Sequence, residues 1–324
     1  MKRKKLHVDV SDVILIAFFL ILMLGLALTT PKFLTFSNLM RVLQQMAELG
    51  IASLGILLVI LTGGFDMTSS AMIGMSSVFI GVLYRSGLNI WVAVVLSLIL
   101  ATGAGTINGY LVGVLDIAPM LVTLGTMTLY EGVALALSEG DAISGFPDEF
   151  FTIGQKYVFG VPVQALLLLA LAVIVSCALN RRPWGRQVYM CGSNAVGARF
   201  SGIDVARVII SVYAISALMS GISGVVITSR LATARADAGA SYMFEGVAAV
   251  MLGGADLAGG NGKVSTTILG VLIFAVLSNG LNLNKVSSLV HQMVVGLVLI
   301  IVLLMRFAYV QHSKNASAKI VGNN

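Results

Sequence analysis

The stretch Asn180 to Arg207, NRRPWGRQVYMCGSNAVGARFSGIDVAR, decides how the chain is read. It is a polar island in a sequence otherwise built of apolar runs. It holds the arginines Arg181, Arg182, Arg186, Arg199 and Arg207 and a single acid, Asp204. A chain that only had to cross a bilayer needs no folded basic loop at this point. The segment reads as the surface by which a cytoplasmic partner grips a membrane domain.

Working outward, the composition agrees with a membrane domain. The chain is 58% hydrophobic and 10% charged, with a mean hydropathy of +0.98. A soluble domain carries about 25% charged residues. So few charges cannot cover a water-facing surface, and lipid is the expected solvent. The net charge of +6 could suggest nucleic acid. Its placement argues against that partner, because most charges flank apolar spans, as the positive-inside rule requires. Cys177 and Cys191 have neither metal-ligand spacing nor a disulfide framework. The opening MKRKK followed by Val13 to Leu28 imitates a signal peptide. Lys32 and Phe33 stand where small residues would mark cleavage, so a retained first span is expected.

Spanning the hydrocarbon core takes about 20 apolar residues. About ten candidates occur, at 12–30, 39–62, 67–84, 90–113, 118–138, 162–180, 208–230, 244–257, 264–283 and 288–306. The expected fold is therefore an all-α integral membrane protein of about ten transmembrane helices, a single transmembrane domain over 1–324. The eighth candidate is too short to cross alone. Parity then places segment 1–11, the basic loop 180–207 and the tail 307–324 in the cytoplasm. Glu139 to Val161 falls outside and is acidic, with Glu139, Asp141, Asp148 and Glu149 against Lys156. The Lys/Arg excess on the inner side supports that orientation.

Glycines recur within spans, at Gly103, Gly105, Gly109 and Gly113 and at Gly221 and Gly224, where they serve close helix packing or line a path. Two echoes raise an internal two-half repeat. VILTGGFDM, from Val59, resembles VMLGGADL, from Val250, and Asn108-Gly109 resembles Asn279-Gly280. Related halves around a central path are common in transporters. Chance similarity in Gly-rich membrane sequence is the alternative.

The chemistry-bearing residues have two readings each. Asp66 follows Gly63-Gly64-Phe65 and either caps the following helix or contacts cargo. Asp256 has the same two readings. Glu48, Glu131 and Glu245 fall in or beside spans, where ionisable groups usually face an interior or an aqueous path. Gln44, Gln45, Asn108, Thr123, Asn279 and Asn282 add uncharged donors and acceptors at that depth. They suit a path for a polyhydroxylated solute, or hydrogen bonds between helices. Gly259-Gly260-Asn261-Gly262-Lys263 is no phosphate loop, because Leu257 stands where its first glycine should be and Val264 where it needs Ser or Thr. With His7, His291 and His312 far apart and no nucleophile motif, neither catalytic nor metal-ligating residues are expected.

Several segments together resemble the ribose-type permeases of ATP-binding-cassette (ABC) importers. Gly64-Phe65-Asp66-Met67-Thr68 is similar to their G-x-D-L-S signature, and Pro119 to Thr126 to their P-F-I-V-T-L-G-T segment. Gly185-Arg186-Gln187-Val188-Tyr189, Gly192 to Ala195 and Ser201-Gly202-Ile203 resemble their cytoplasmic coupling loop. Val250 to Leu257 with Gly259-Gly260, then Asn279-Gly280-Leu281-Asn282, complete a resemblance running in order from about Asn38 to Asn282. Ser69-Ser70, Asp256 and Asn261 depart from the usual pattern and leave the exact cargo open.

The resemblance implies a permease of the bacterial inner membrane that works as a dimer with a second copy or a paralogue. A cytoplasmic ATPase pair would dock beneath it and an extracytoplasmic sugar-binding protein above it. ATP would be bound by the ATPase and no cofactor by this chain. The cargo would be a pentose or hexose, or else the signal autoinducer-2. The expected coupling residues are Arg182, Gly185, Arg186, Asn194, Arg199, Phe200, Gly202 and Ile203, with Val196, Phe200 and Ile203 as apolar anchors. The expected path residues are Gln45, Glu48, Asp66, Asn108, Thr123, Glu245, Asn279 and Asn282. A different class, an ion-coupled secondary transporter, would instead use Glu48, Glu131 and Glu245 as ion sites.

Overall fold

The computed structural model describes residues 10–287, 289–294, 296–298, 300, 301 and 304. The expected cytoplasmic tail 307–324 and residues 1–9 of the amino-terminal segment lie outside the described residues. Apolar runs become helices where the sequence predicts them. They are α1 Val10–Thr29, α2 Phe36–Leu61, α3 Ser69–Arg85, α4 Ile90–Gly113, α5 Pro119–Ser138, α6 Phe151–Gly154, α7 Val163–Arg181, α8 Pro183–Ser193, α9 Ala195–Phe200, α10 Val205–Leu231, α11 Tyr242–Leu252 and α12 Val264–Leu283. Among the described residues, six of these are long and apolar enough to cross a membrane: α2, α4, α5, α7, α10 and α12. The third predicted span, α3, has 17 residues. The eighth, α11, has 11, too few to cross alone. A shorter apolar helix, Leu289–Val298, stands at the last predicted span.

The core is wrapped around α2, which is buried on every side from Met46 to Leu61. A helix apolar all round belongs in an interior rather than at a surface. Against it, and against α3 and α4, lies α10. Their approach is set by small residues. A Cβ at Gly105 or Gly109 would strike the α10 backbone at Tyr213 and Ile210, and one at Gly55 would strike Ser216. Gly221 and Gly224 do the same from the α10 side, against Ala101 and Ile73. In lipid, where apolar side chains gain little by leaving the solvent, such close contacts carry helix association. Gly103 faces open space, so the packing stripe excludes it.

The acidic segment after α5 forms neither a plain loop nor one helix. Glu139 ends α5 in the left-handed region at φ 53°. β1 (Ile143–Ser144) then pairs antiparallel with β4 (Thr233–Ala234), just beyond α10. A 3₁₀ turn at Asp148–Phe150 leads into α6, and β2 (Tyr157–Val158) pairs with β3 (Val161–Pro162). The Ser229 hydroxyl ties this cap down, accepting from the Gly154 N–H at 2.8 Å and donating to the Phe150 carbonyl at 2.6 Å.

Candidate functional site

The basic loop is two helices with opposite duties. Pro183 opens α8, where its missing N–H costs nothing. Gly185 is buried because a Cβ there would strike the Leu179 backbone, so α8 folds tightly back on α7. Trp184 Nε1 donates to Ser211 Oγ at 2.8 Å. Asn194 Oδ1 caps α9 by accepting the Gly197 N–H at 2.8 Å. Gly202, at φ 80°, supplies the turn into α10, which Asp204 caps through the Arg207 N–H. The outcome is a pinned inner face and a bare outer one. Arg182, Arg186 and Arg199 are exposed. Val196 and Phe200 stand 64% and 90% exposed on α9. Ile203 differs from its expected role, since it packs into the chain's own core. Gly185 and Ile203 therefore shape the loop, and the residues around α9 are free to meet a partner.

Beneath that loop lies a junction that sequence reading did not foresee. The Gly260 N–H donates to the Leu61 carbonyl at 2.9 Å, joining the end of α2 to the turn after α11. Gly192 of α8 lies against this bond, so close that its Cβ would overlap both partners. Gly259, at φ 90°, packs on Gly63 and Gly192, and the Tyr189 hydroxyl donates to the Gly262 carbonyl at 2.9 Å. Burial pushes the Tyr189 pKa up against the opposing charge of Lys263, which keeps the hydroxyl a donor. The first Gly-Gly-x-Asp echo thus touches α8 and the turn that follows the second echo.

Their acids are turn-formers. Asp66 is buried, and its Oδ1 accepts the Thr68 N–H at 2.8 Å and the Thr68 hydroxyl at 2.6 Å, while Oδ2 accepts from Ser216 at 2.8 Å. Asp256 Oδ1 accepts the Ala258 N–H at 3.1 Å. Around Asp66, the Thr123 hydroxyl donates to the Phe65 carbonyl at 3.1 Å, and Tyr213 donates to the same carbonyl at 3.3 Å. Tyr130 bridges to Asn108 Oδ1 at 3.2 Å. Asp66 and Thr123 therefore meet at the turn before α3, while Asn108 pairs with Tyr130 between α4 and α5.

The other path candidates separate from these. Asn279 exchanges amide hydrogen bonds with Asn38 at 2.8 and 3.0 Å, joining α12 to α2. Glu48, fully buried, takes a two-pronged ion pair from Arg230 through Nε and Nη2 and a bond from the Tyr242 hydroxyl at 2.9 Å. Arg230 and Tyr242 also line a cavity of about 160 Å³, together with Gln45, Glu245, Ser278 and Asn282. Three expected residues, Gln45, Glu245 and Asn282, thus meet in one place. Glu131 meets none of them; it is exposed on α5. Arg230, Tyr242 and Asn38 were missed by sequence reading. A signal for Arg230 existed, because a buried acid within a span needs an opposite charge.

Apolar helices of spanning length, polar groups gathered among them and a basic loop keyed to their ends define a multi-pass membrane permease. The chain belongs to the family described as branched-chain amino acid transport system / permease component, whose profile matches residues 38–303. It is 37% identical over 287 residues to a ribose import permease protein of Bacillus subtilis, covering 88% of this chain and 89% of that one. It is 32% identical over 289 residues to the ribose import permease protein of Haemophilus influenzae, covering 88% and 90%. An autoinducer 2 import system permease protein of Yersinia enterocolitica is 32% identical over 298 residues, covering 90% of each chain. No solved structure matches significantly. The chain is a permease of an ABC importer, and such permeases work with an ATPase and a substrate-binding protein.

Proposed function

We propose that this permease carries a monosaccharide, a pentose or hexose, inward across the bacterial inner membrane, driven by ATP hydrolysis in a separate ATPase subunit that docks on α9. The observation that carries the docking is the two-faced basic loop. Val196 and Phe200 are bare while Tyr189 and Gly192 key into the ends of α2 and α11. A partner pushing on α9 would move α8, and with it the glycine junction and the two helices that end there. The sugar cargo is supported by the ribose import permeases among the relatives and by the uncharged polar groups between the helices. Autoinducer-2 is the second reading, favoured by the similarity to a permease for that signal. ATP belongs to the ATPase in this scheme, and the chain itself binds no cofactor.

The topology that fits is about ten crossings with amino and carboxyl ends in the cytoplasm. The six long helices, α1, α3, the half-length α11 and helix Leu289–Val298 supply them. The contact of the first Gly-Gly-x-Asp echo with the turn after the second is compatible with a two-half repeat. A second permease copy or paralogue is supported by α5. Its spanning window is 22% buried, yet Glu131 on it is exposed. A carboxylate on a span avoids lipid, so this face meets a partner permease or a water-filled path.

The test is affinity purification from native membranes with mass spectrometry of what accompanies the chain. Recovery of an ABC ATPase supports docking, and a second permease decides between paralogue and copy. Absence of any ATPase after crosslinking would overturn it in favour of ion-driven transport.

A further inference from the structure

We propose that the cavity between α2, α10, α11 and α12 is a binding subsite for an uncharged, hydroxylated solute, with the Arg230 guanidinium as its donor, Glu48 as the residue that positions and neutralises the guanidinium, and Tyr242 as the residue that holds Glu48. This rests on the sugar-import reading above and narrows it to named side chains.

The charge arithmetic sets the ligand class. Glu48 occupies Arg230 through Nε and Nη2, and the Tyr242 hydroxyl donates to Glu48 Oε2. Arg230 Nη1 takes no part in that pair. The cavity therefore presents a donor whose positive charge is already compensated. The other ionisable groups facing it are Glu245 and His291, and His291 Nε2 is hydrogen-bonded to Ser278 Oγ at 2.9 Å. Among the described residues lining the cavity, a carboxylate or phosphate would find its one guanidinium already paired with Glu48. A neutral hydroxyl can accept from guanidinium and donate to carboxylate or amide oxygen without importing charge.

The cavity also holds an unmet demand. Gln45 Oε1 is buried and lacks a hydrogen-bond partner. An unpaired buried acceptor is destabilising, and a hydroxyl arriving in the cavity would relieve it. Ser278 and Asn282 add further donors and acceptors on the α12 wall. The site stands beside the outer cap, since Gln155 Nε2 donates to the Arg230 carbonyl at 3.1 Å. That position suits a solute handed over from outside.

The test uses the full importer in proteoliposomes, with ribose as probe and ribose 5-phosphate as charged competitor. Gln45→Leu, which leaves the ion pair alone, is expected to lower ribose uptake about 5- to 10-fold while ATPase assembly persists. Glu48→Gln uncovers the Arg230 charge. Ribose 5-phosphate is then expected to inhibit uptake by this variant while leaving the wild type unaffected. If wild type imports ribose and both variants match it in rate and in indifference to the phosphate, the subsite is refuted. If Glu48→Gln fails to fold, unchanged uptake by Gln45→Leu alone refutes it. If wild type imports no monosaccharide at all, the sugar-import reading fails first.

Discussion

Gly192 lies against the hydrogen bond that the Gly260 N–H donates to the Leu61 carbonyl at 2.9 Å, and no atom larger than hydrogen fits where its Cβ would be. The basic loop, the end of α2 and the turn after α11 therefore share one contact. Motion of any of the three must be answered by the others, because close-packed interiors shift between discrete arrangements rather than deform smoothly.

Gly192→Ala forces these three backbones apart. Overpacking of this kind typically costs about 1–3 kcal/mol. The variant is expected to assemble with the ATPase and hydrolyse ATP, while cargo uptake per ATP falls at least about tenfold. Tyr189→Phe, which removes only the bond to the Gly262 carbonyl, is expected to show a milder loss in the same ratio. The measurement is uptake and phosphate release on the same vesicles; an unchanged ratio in both variants would remove the junction from the coupling route.

Phe200 is 90% exposed, so its replacement leaves the permease core untouched. Phe200→Asp is expected to express and fold normally yet lose most of the copurifying ATPase. Gly202 faces open space at φ 80°, and Gly202→Arg adds a long side chain to the face proposed for docking, at a left-handed position that strains an L residue. It is expected to separate ATP hydrolysis from transport with expression intact. Pull-down yield and uptake check both, and normal transport by Gly202→Arg would displace docking from this face.

Asp66 tests cap against cargo contact. Asp66→Asn keeps the Oδ1 that holds Thr68 and can still bond Ser216, so uptake within about threefold of wild type is expected. Asp66→Ala leaves buried donors unpaired at about 1–3 kcal/mol and is expected to lower thermal stability in detergent. Loss of transport in a stable Asp66→Asn protein would favour direct contact with cargo.

Glu48 and Arg230 are also a stability device. Removing one partner of a buried pair typically costs about 3–5 kcal/mol, whereas replacing both by apolar residues of similar volume can be close to neutral. Arg230→Met is thus expected to lower the melting temperature more than Glu48→Leu/Arg230→Met does. Fluorescence-detected size exclusion after heating measures both. A double variant no more stable than the single one would contradict a pairwise role.

Much of this was legible from residue order. Helix positions followed from apolar runs, because in a bilayer the helix is the default way to satisfy a backbone. Sequence reading left Asp66 between a helix cap and a cargo contact, and its bonds to Thr68 make it a turn-former local in sequence. The route of the basic loop was readable as a polar island, but its division into a keyed face and a bare face was not. Ile203 and Phe200 look equivalent in the sequence, and only packing against the core distinguishes them. The partners Arg230 and Tyr242 of Glu48, and Asn38 of Asn279, come from distant helices, whose adjacency depends on which small residues permit close approach. The segment between α5 and α7 resisted reading for a related reason. Its two-residue strands are held by Ser229 and by pairing to β4, neither of which leaves a periodic trace in the segment itself.

The most direct test is uptake of radiolabelled ribose into proteoliposomes holding this permease with its ATPase and delivery protein, compared with vesicles holding the permease alone. Uptake that requires both the ATPase and ATP inside its reach, and that Gly192→Ala abolishes while hydrolysis continues, is the predicted result. Uptake by the permease alone under a proton or sodium gradient would contradict it.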